Sequence, residues 1–142
     1  MIAHVEKIRY VDSKSNQHIL RFDVEPDCLG SEFSASNNPL VLKAVRSEFD
    51  VVIISDYNKG FVDFKQALCF TEKMKQVVYV DSKKPDISCF KNSIVKLNQK
   101  EFEISAHTAG ESSTLVKTLG SKGAACNGQI YPSKPVEVFD VS

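Results

Sequence analysis

The sequence carries no net charge. Eighteen basic and eighteen acidic residues cancel. No global field therefore draws the chain to nucleic acid or to an anionic membrane, and any phosphate-binding charge has to be local. Paired cysteines are missing too. Cys28, Cys69, Cys89 and Cys126 form no C-x-x-C pair and no metal-ligand spacing, which leaves reduced thiols in a cytoplasmic protein as the reading. His4, His18 and His107 are scattered and give no reason to propose a metal centre. No apolar run approaches the roughly 20 residues of a membrane span. Residues 1–10 mix charged and apolar side chains, unlike a secretory signal. Neither G-x-G-x-x-G nor G-x-x-x-x-G-K-[ST] occurs, which argues against a dinucleotide fold and a P-loop kinase. The absence of G-x-S-x-G argues against a hydrolase elbow. There is no internal repeat and no low-complexity tract.

What is present is a series of short apolar runs that stop on polar residues. The 142 residues, 42% hydrophobic, fit one domain with a sizeable core. Val51-Val52-Ile53-Ile54 ends on Ser55-Asp56-Tyr57, and Val77-Val78-Tyr79-Val80 ends on Asp81-Ser82-Lys83. Val95-Lys96-Leu97 ends on Asn98, and Thr114-Leu115-Val116-Lys117 ends on Thr118-Leu119-Gly120. Such runs, separated by helical patterns, predict adjacent parallel strands covered on both faces. Ligands of such sheets bind outside the carboxyl ends of the strands. The four polar clusters therefore fall on one edge, and that edge is the expected site.

Residues 4–25 follow another rule. Ile8 and Tyr10 alternate with Lys7 and Arg9, and Leu20, Phe22 and Val24 alternate with Arg21, Asp23 and Glu25. Period two predicts an antiparallel hairpin, with Ser13-Lys14-Ser15-Asn16 as the turn. Its polar face carries Lys7, Arg9, Gln17 and Arg21. That face is either solvated or a flap over a polar ligand.

Residues 26–38 read as a loop, and Asn38-Pro39 as a helix start with Leu40, Val41, Ala44 and Val45 on one face. Residues 49–55 read as the first central strand. Phe61, Phe64, Leu68 and Met74, with Ala67 and Phe70, predict an amphipathic helix with Cys69 on its apolar face. Strands are expected at 76–80, 93–97 and 114–118, with a short segment at 87–90 and a helix opening at 99–104. Residues 107–113 leave little room for a full crossover. Residues 124–131 predict a hairpin around Asn127-Gly128, and 136–139 a last short strand.

Among the strand-end residues, Asn98 and Glu101 lie three apart and face one way on a helical first turn. An amide with a carboxylate suits a hydrated magnesium ion. The same spacing is also a capping box, with Asn98 as N-cap. Gly120 and Gly123 either let the backbone approach an anionic ligand or simply build a tight turn. Asp56, Lys59, Asp81 and Lys83 place opposite charges on one rim.

Taken in order, these stretches resemble the ribokinase-like (PfkB) carbohydrate kinases, and among them the kinase domains of bacterial bifunctional heptose 7-phosphate kinase/ADP-heptose synthases. The matching residues are Lys7-Ile8-Arg9, Asn16-Gln17-His18-Ile19-Leu20-Arg21-Phe22-Asp23, and Asp50 through Asp56-Tyr57-Asn58-Lys59-Gly60. Val80-Asp81-Ser82-Lys83, Asn98-Gln99-Lys100-Glu101, Thr118-Leu119-Gly120-Ser121-Lys122-Gly123-Ala124 and Glu137-Val138-Phe139-Asp140-Val141-Ser142 complete the set.

The resemblance implies a partial three-layer α/β sandwich, with a largely parallel central sheet (residues 38–142) and an N-terminal antiparallel lid hairpin (residues 4–25). It implies a transferase that moves a phosphoryl group from ATP, with Mg2+, to a sugar or sugar-phosphate hydroxyl. Asn98 and Glu101 match the family's N-x-x-E, which organises magnesium and phosphates. Thr118, Gly120, Gly123 and Asp140 then lie beside the nucleotide. Arg9, Gln17, Arg21, Asp56, Lys59, Asp81 and Lys83 are candidate sugar-side contacts. A homodimer through the hairpin is expected. The motif that Asp140-Val141-Ser142 opens continues in the family into G-A-G-D, which supplies the anion hole and the catalytic base. Those residues are absent from this sequence, so no catalytic residue is assigned within it. The alternative function is a non-catalytic nucleotide- or sugar-phosphate-binding module.

Overall fold

The computed structural model describes residues 6–24, 39–60 and 62–134. Asn38, Phe61, the expected strand at 136–139 and Asp140 lie outside them, as do Cys28, His4 and the side chain of Leu40. The chain forms two compact units, one built on residues 1–29 and 135–142, the other Gly30–Lys134.

In the first unit, β1 (Glu6–Val11) and β2 (His18–Val24) pair antiparallel. Asp12 closes the turn: its carboxylate accepts from Ser15 N at 2.8 Å and Ser15 Oγ at 2.6 Å. Those two bonds hold its pKa below the usual carboxylate range. Asn16 takes the left-handed backbone position with φ 54°. The register sets Ile8 opposite Phe22 and Tyr10 opposite Leu20, with Lys7 opposite Asp23 and Arg9 opposite Arg21. One face of the ribbon is therefore apolar and the other charged, as the period-two pattern requires. Gln17 sits in the connection between the strands.

The second unit holds α1 (Pro39–Val45), β3 (Val51–Asp56), α2 (Phe64–Lys73), β4 (Val77–Ser82), β5 (Ser93–Leu97), α3 (Gln99–Ser105), β6 (Thr114–Thr118), β7 (Ala124–Cys126) and β8 (Gln129–Tyr131). The strands make one sheet in the order β3-β4-β5-β6-β7-β8. The first four run parallel, and β7 and β8 return antiparallel. The architecture is α/β with a largely parallel sheet, a partial sandwich. β3 starts at Val51 instead of Phe49, because residues 46–50 unwind from α1 through Ser47, whose φ is 61°. Among the described residues it is one of the two edge strands rather than a central one. Asn127 (φ 49°) and Gly128 (φ 78°) form the expected two-residue turn.

The expectation that both faces of the sheet are covered does not hold among the described residues. Val52, Ile54, Val78, Val80, Val95, Leu97 and Leu115 belong to the core with Ala67, Met74 and Phe102. On the opposite face Val51, Ile53, Val77 and Tyr79 are 48%, 75%, 47% and 45% exposed. The reason is topological. Parallel strands joined by right-handed crossovers and laid down in one direction put every connecting helix on the same side. Here α2 and α3 are the two crossover helices.

Asp63 caps α2, its carboxylate accepting from Gln66 N at 3.1 Å. The inward face of α2 is Ala67 and Thr71; Cys69 is exposed, not apolar-facing as expected, and Phe64 is 37% exposed. No helix joins β4 to β5. Instead Ile87, Cys89 and Phe90 fill the core from an irregular segment. Thr71 anchors that segment: its hydroxyl lies 2.9 Å from the Cys89 carbonyl oxygen and accepts from Lys91 N at 3.0 Å. The β5–β6 connection is short, and α3 with a 3-10 turn, Ala106–Thr108, suffices for it.

Candidate functional site

The parallel registers bring the polar strand ends together. Asp56 stands opposite Ser82, Asp81 opposite Lys96, and Leu97 opposite Lys117.

Asp56 is the buried node of this rim, 3% exposed. Its Oδ2 accepts from Ser82 Oγ at 2.9 Å and lies 3.4 Å from Lys84 Nζ. Its Oδ1 accepts from Asn58 N at 2.9 Å, and its backbone oxygen accepts from Lys83 N at 2.9 Å. Lys84 Nζ also donates to Asn58 Oδ1 at 3.3 Å. A buried carboxylate is tolerated only when its oxygens are paired, and here they are. Asp56 therefore locks the turns after β3 and β4 together. It leaves little acceptor capacity for a ligand.

The next group is a chain of alternating charges. Lys96 Nζ donates to Asp81 Oδ2 at 2.9 Å. Lys83 Nζ lies 3.7 Å from Asp81 Oδ1, an atom shielded from water and without a hydrogen-bond partner. Lys83 Nζ donates to Glu101 Oε1. That hydrogen bond, with the charges of Glu101 and Asp81, raises the pKa of the Lys83 ammonium above its ordinary value. Asn98 and Glu101 form a reciprocal capping box. The Asn98 side chain accepts from Glu101 N at 2.9 Å, and Asn98 N donates to Glu101 Oε2 at 2.7 Å.

The third group is the turn after β6. Gly120 (φ 59°) opens a 3-10 turn, Gly120–Lys122, and Leu119 N donates to the Gly123 oxygen at 2.7 Å. The two glycines differ in purpose. At Gly123 (φ 95°) an added Cβ would sit 2.0 Å from the Tyr131 carbonyl oxygen, so close packing of the chain demands glycine there. At Gly120 nothing lies within 4 Å of that position, and only this glycine leaves room for an approaching group. Thr118 Oγ1 faces the Leu97 carbonyl oxygen at 3.4 Å, and Lys117 Nζ sits 4.7 Å from the centre of the Phe102 ring.

Of the residues expected at the site, the strand ends gather Asp56, Asp81, Lys83, Asn98, Glu101, Thr118, Gly120 and Gly123 at one edge; Lys59 is exposed in the bend after β3. Arg9, Gln17 and Arg21 belong to the hairpin unit. There Arg21 grips Asp23 with two bonds, Nε to Oδ1 at 2.9 Å and a terminal nitrogen to Oδ2 at 2.8 Å, which lowers the Asp23 carboxyl. Asp140 lies outside the described residues. The sequence reading missed Ser82, Lys84 and Lys96. A signal for Lys96 existed: it is a lysine inside an otherwise apolar strand.

Magnesium was expected on Asn98 and Glu101, and the donors there do not fit it. The Asn98 oxygen and both Glu101 oxygens already have partners, one of them an ammonium. Among the described residues no three His, Cys, Asp or Glu side chains converge on a point that could hold a metal.

The chain is 31% identical over 150 residues to the bifunctional protein HldE of Hydrogenovibrio crunogenus, a match that takes in 89% of this chain and 31% of that protein. It is related to that protein and spans about a third of its length. No family model matches the sequence. No solved structure matches it either. No helix among the described residues is long and apolar enough to cross a membrane.

Proposed function

We propose that this chain is the nucleotide-facing part of a ribokinase-like (PfkB) sugar kinase of the heptose 7-phosphate kinase kind, working in the bacterial cytoplasm. The observation that carries the proposal is the shared edge. Three parallel strands, β4, β5 and β6, deliver Asp81, Lys83, Asn98, Glu101 and Thr118 to one rim, where ligands of open α/β sheets bind. The relationship to the bifunctional protein HldE supports the same reading. ATP is the phosphoryl donor. Lys83 meets its phosphates and Gly120 offers the open side of the turn, while Asp140 belongs on the nucleotide side. Arg9, Gln17 and Arg21 of the hairpin are the contacts proposed for the phosphorylated sugar. Phosphoryl transfer rests on positioning and charge neutralisation, for which a rim of this kind is suited. The hairpin is also where a second copy would join to make a homodimer; sedimentation as a monomer at high concentration would count against that.

The second reading is a nucleotide- or sugar-phosphate-binding module without catalysis. One observation favours it: the carboxylate that the kinases use at N-x-x-E is here occupied by Lys83. Titration with ATP and with heptose 7-phosphate, followed through the backbone amides of 98–101 and 118–123, tests what the two readings share. Shifts at those amides are expected with ATP, and at residues 9, 17 and 21 with heptose 7-phosphate; none at millimolar ligand sinks both. Steady consumption of ATP with heptose 7-phosphate, against a panel of other sugars, then separates kinase from binding module.

A further inference from the structure

We infer that Lys83 is the resident cation of the 98–101 turn and closes it to a directly bound divalent ion. This concerns the free chain, so it stands whether or not the proposed activity is right.

Three features lead there. The first is that Glu101 cannot turn away. The capping box fixes it, with Oε2 held by Asn98 N at 2.7 Å, and this leaves Oε1 facing Lys83. A metal ion at Glu101 would have to displace the ammonium or break the cap. The second is local neutrality. Lys83 and Lys96 balance Asp81 and Glu101 in one connected chain of contacts. Such a set has no residual negative charge with which to hold a doubly charged ion. Magnesium also dehydrates reluctantly and requires near-octahedral oxygen ligands. The third is that backbone register places the chain. Asp81 and Lys96 are cross-strand neighbours on β4 and β5, Lys83 follows β4 directly, and Glu101 lies in the first turn after β5. The arrangement is built into the sheet and does not rest on two long surface side chains meeting by chance. An ammonium there is a monovalent point charge with three donors. A phosphate arriving at this rim would meet it directly, with no metal between them.

Manganese(II) is the probe, because its unpaired electrons broaden the amide signals of nearby residues. The 142-residue chain is titrated with it as wild type, Lys83→Met, Lys83→Arg and Lys83→Met combined with Glu101→Gln. The wild type and Lys83→Arg are expected to keep sharp signals at residues 98–101. Lys83→Met should broaden them at roughly tenfold lower manganese or less, since a unit charge a few ångströms away has been removed. The double variant should lose that gain. Equal broadening in the wild type and Lys83→Met overturns the inference. So does a Lys83→Met chain that stays sharp at the concentrations used, because something other than Lys83 then keeps the ion out.

Discussion

The two faces of the six-stranded sheet come from nearly the same letters and have opposite surroundings. Val52 and Ile54 face the core, while Val51 and Ile53, their immediate neighbours, face outward. The side-chain period of two makes this separation unavoidable in any strand. What differs is the company each face keeps. One has α2, α3 and the irregular 87–90 segment; the other has none of the described elements. The difference teaches that an all-apolar strand reports the chemistry of both faces and the cover of neither.

The largest contrast should come from truncation on each side. Phe90→Ala should cost about 3–5 kcal/mol in denaturant unfolding, through a cavity the tight core cannot refill. Ile53→Ser should stay within about 0.5 kcal/mol. Equal costs would mean that the open face is covered in solution. Second is Asp56, at the closed face's polar end. Asp56→Ala should lose about 3 kcal/mol, because it strands the largely buried Lys84 ammonium. A loss below 1 kcal/mol would show that Lys84 simply swings into water.

The thiols sharpen the comparison kinetically. Cys89 is fully buried and desolvation pushes it up to about 11, whereas Cys69 is exposed and Cys126 half-buried. Of these three thiols, a thiolate-directed reagent should modify Cys69 first and Cys126 next, and Cys89 only on unfolding. Native-state labelling of Cys89 at the rate of Cys69 would break the contrast. The smallest effect is alkaline. Lys83 is raised in the folded chain, so its contribution is whole below the ordinary lysine value of 10.5 and is lost as pH rises through the raised value. Lys83 is more than a third exposed, so the slope is small. Thermal melts above pH 10 should show it in the wild type and not in Lys83→Met.

Much of this was legible beforehand for identifiable reasons. The strands announced themselves because valine and isoleucine runs stopped on aspartate, serine and asparagine. Asn127-Gly128 predicted its own turn, and Asn98 with Glu101 its own cap. The rest depended on neighbours far away in sequence. The 87–90 segment has no helical or strand period, so nothing local marks Phe90 as core. Thr71 reads as a surface threonine until the Cys89 carbonyl and the Lys91 amide are found against it. The partner of Lys83 follows from sheet register, which single residues do not encode. The need for glycine at 123 lies in Tyr131, across a hairpin.

Among the described residues β3 has a neighbouring strand on one side only. Its outer backbone donors and acceptors run alongside Val51 and Ile53, on a segment with no charge and no proline from Val51 to Ser55. An edge of that composition recruits extended chain. Among the described residues β3 is therefore an edge open to strand addition, and any association through it should rise with protein concentration.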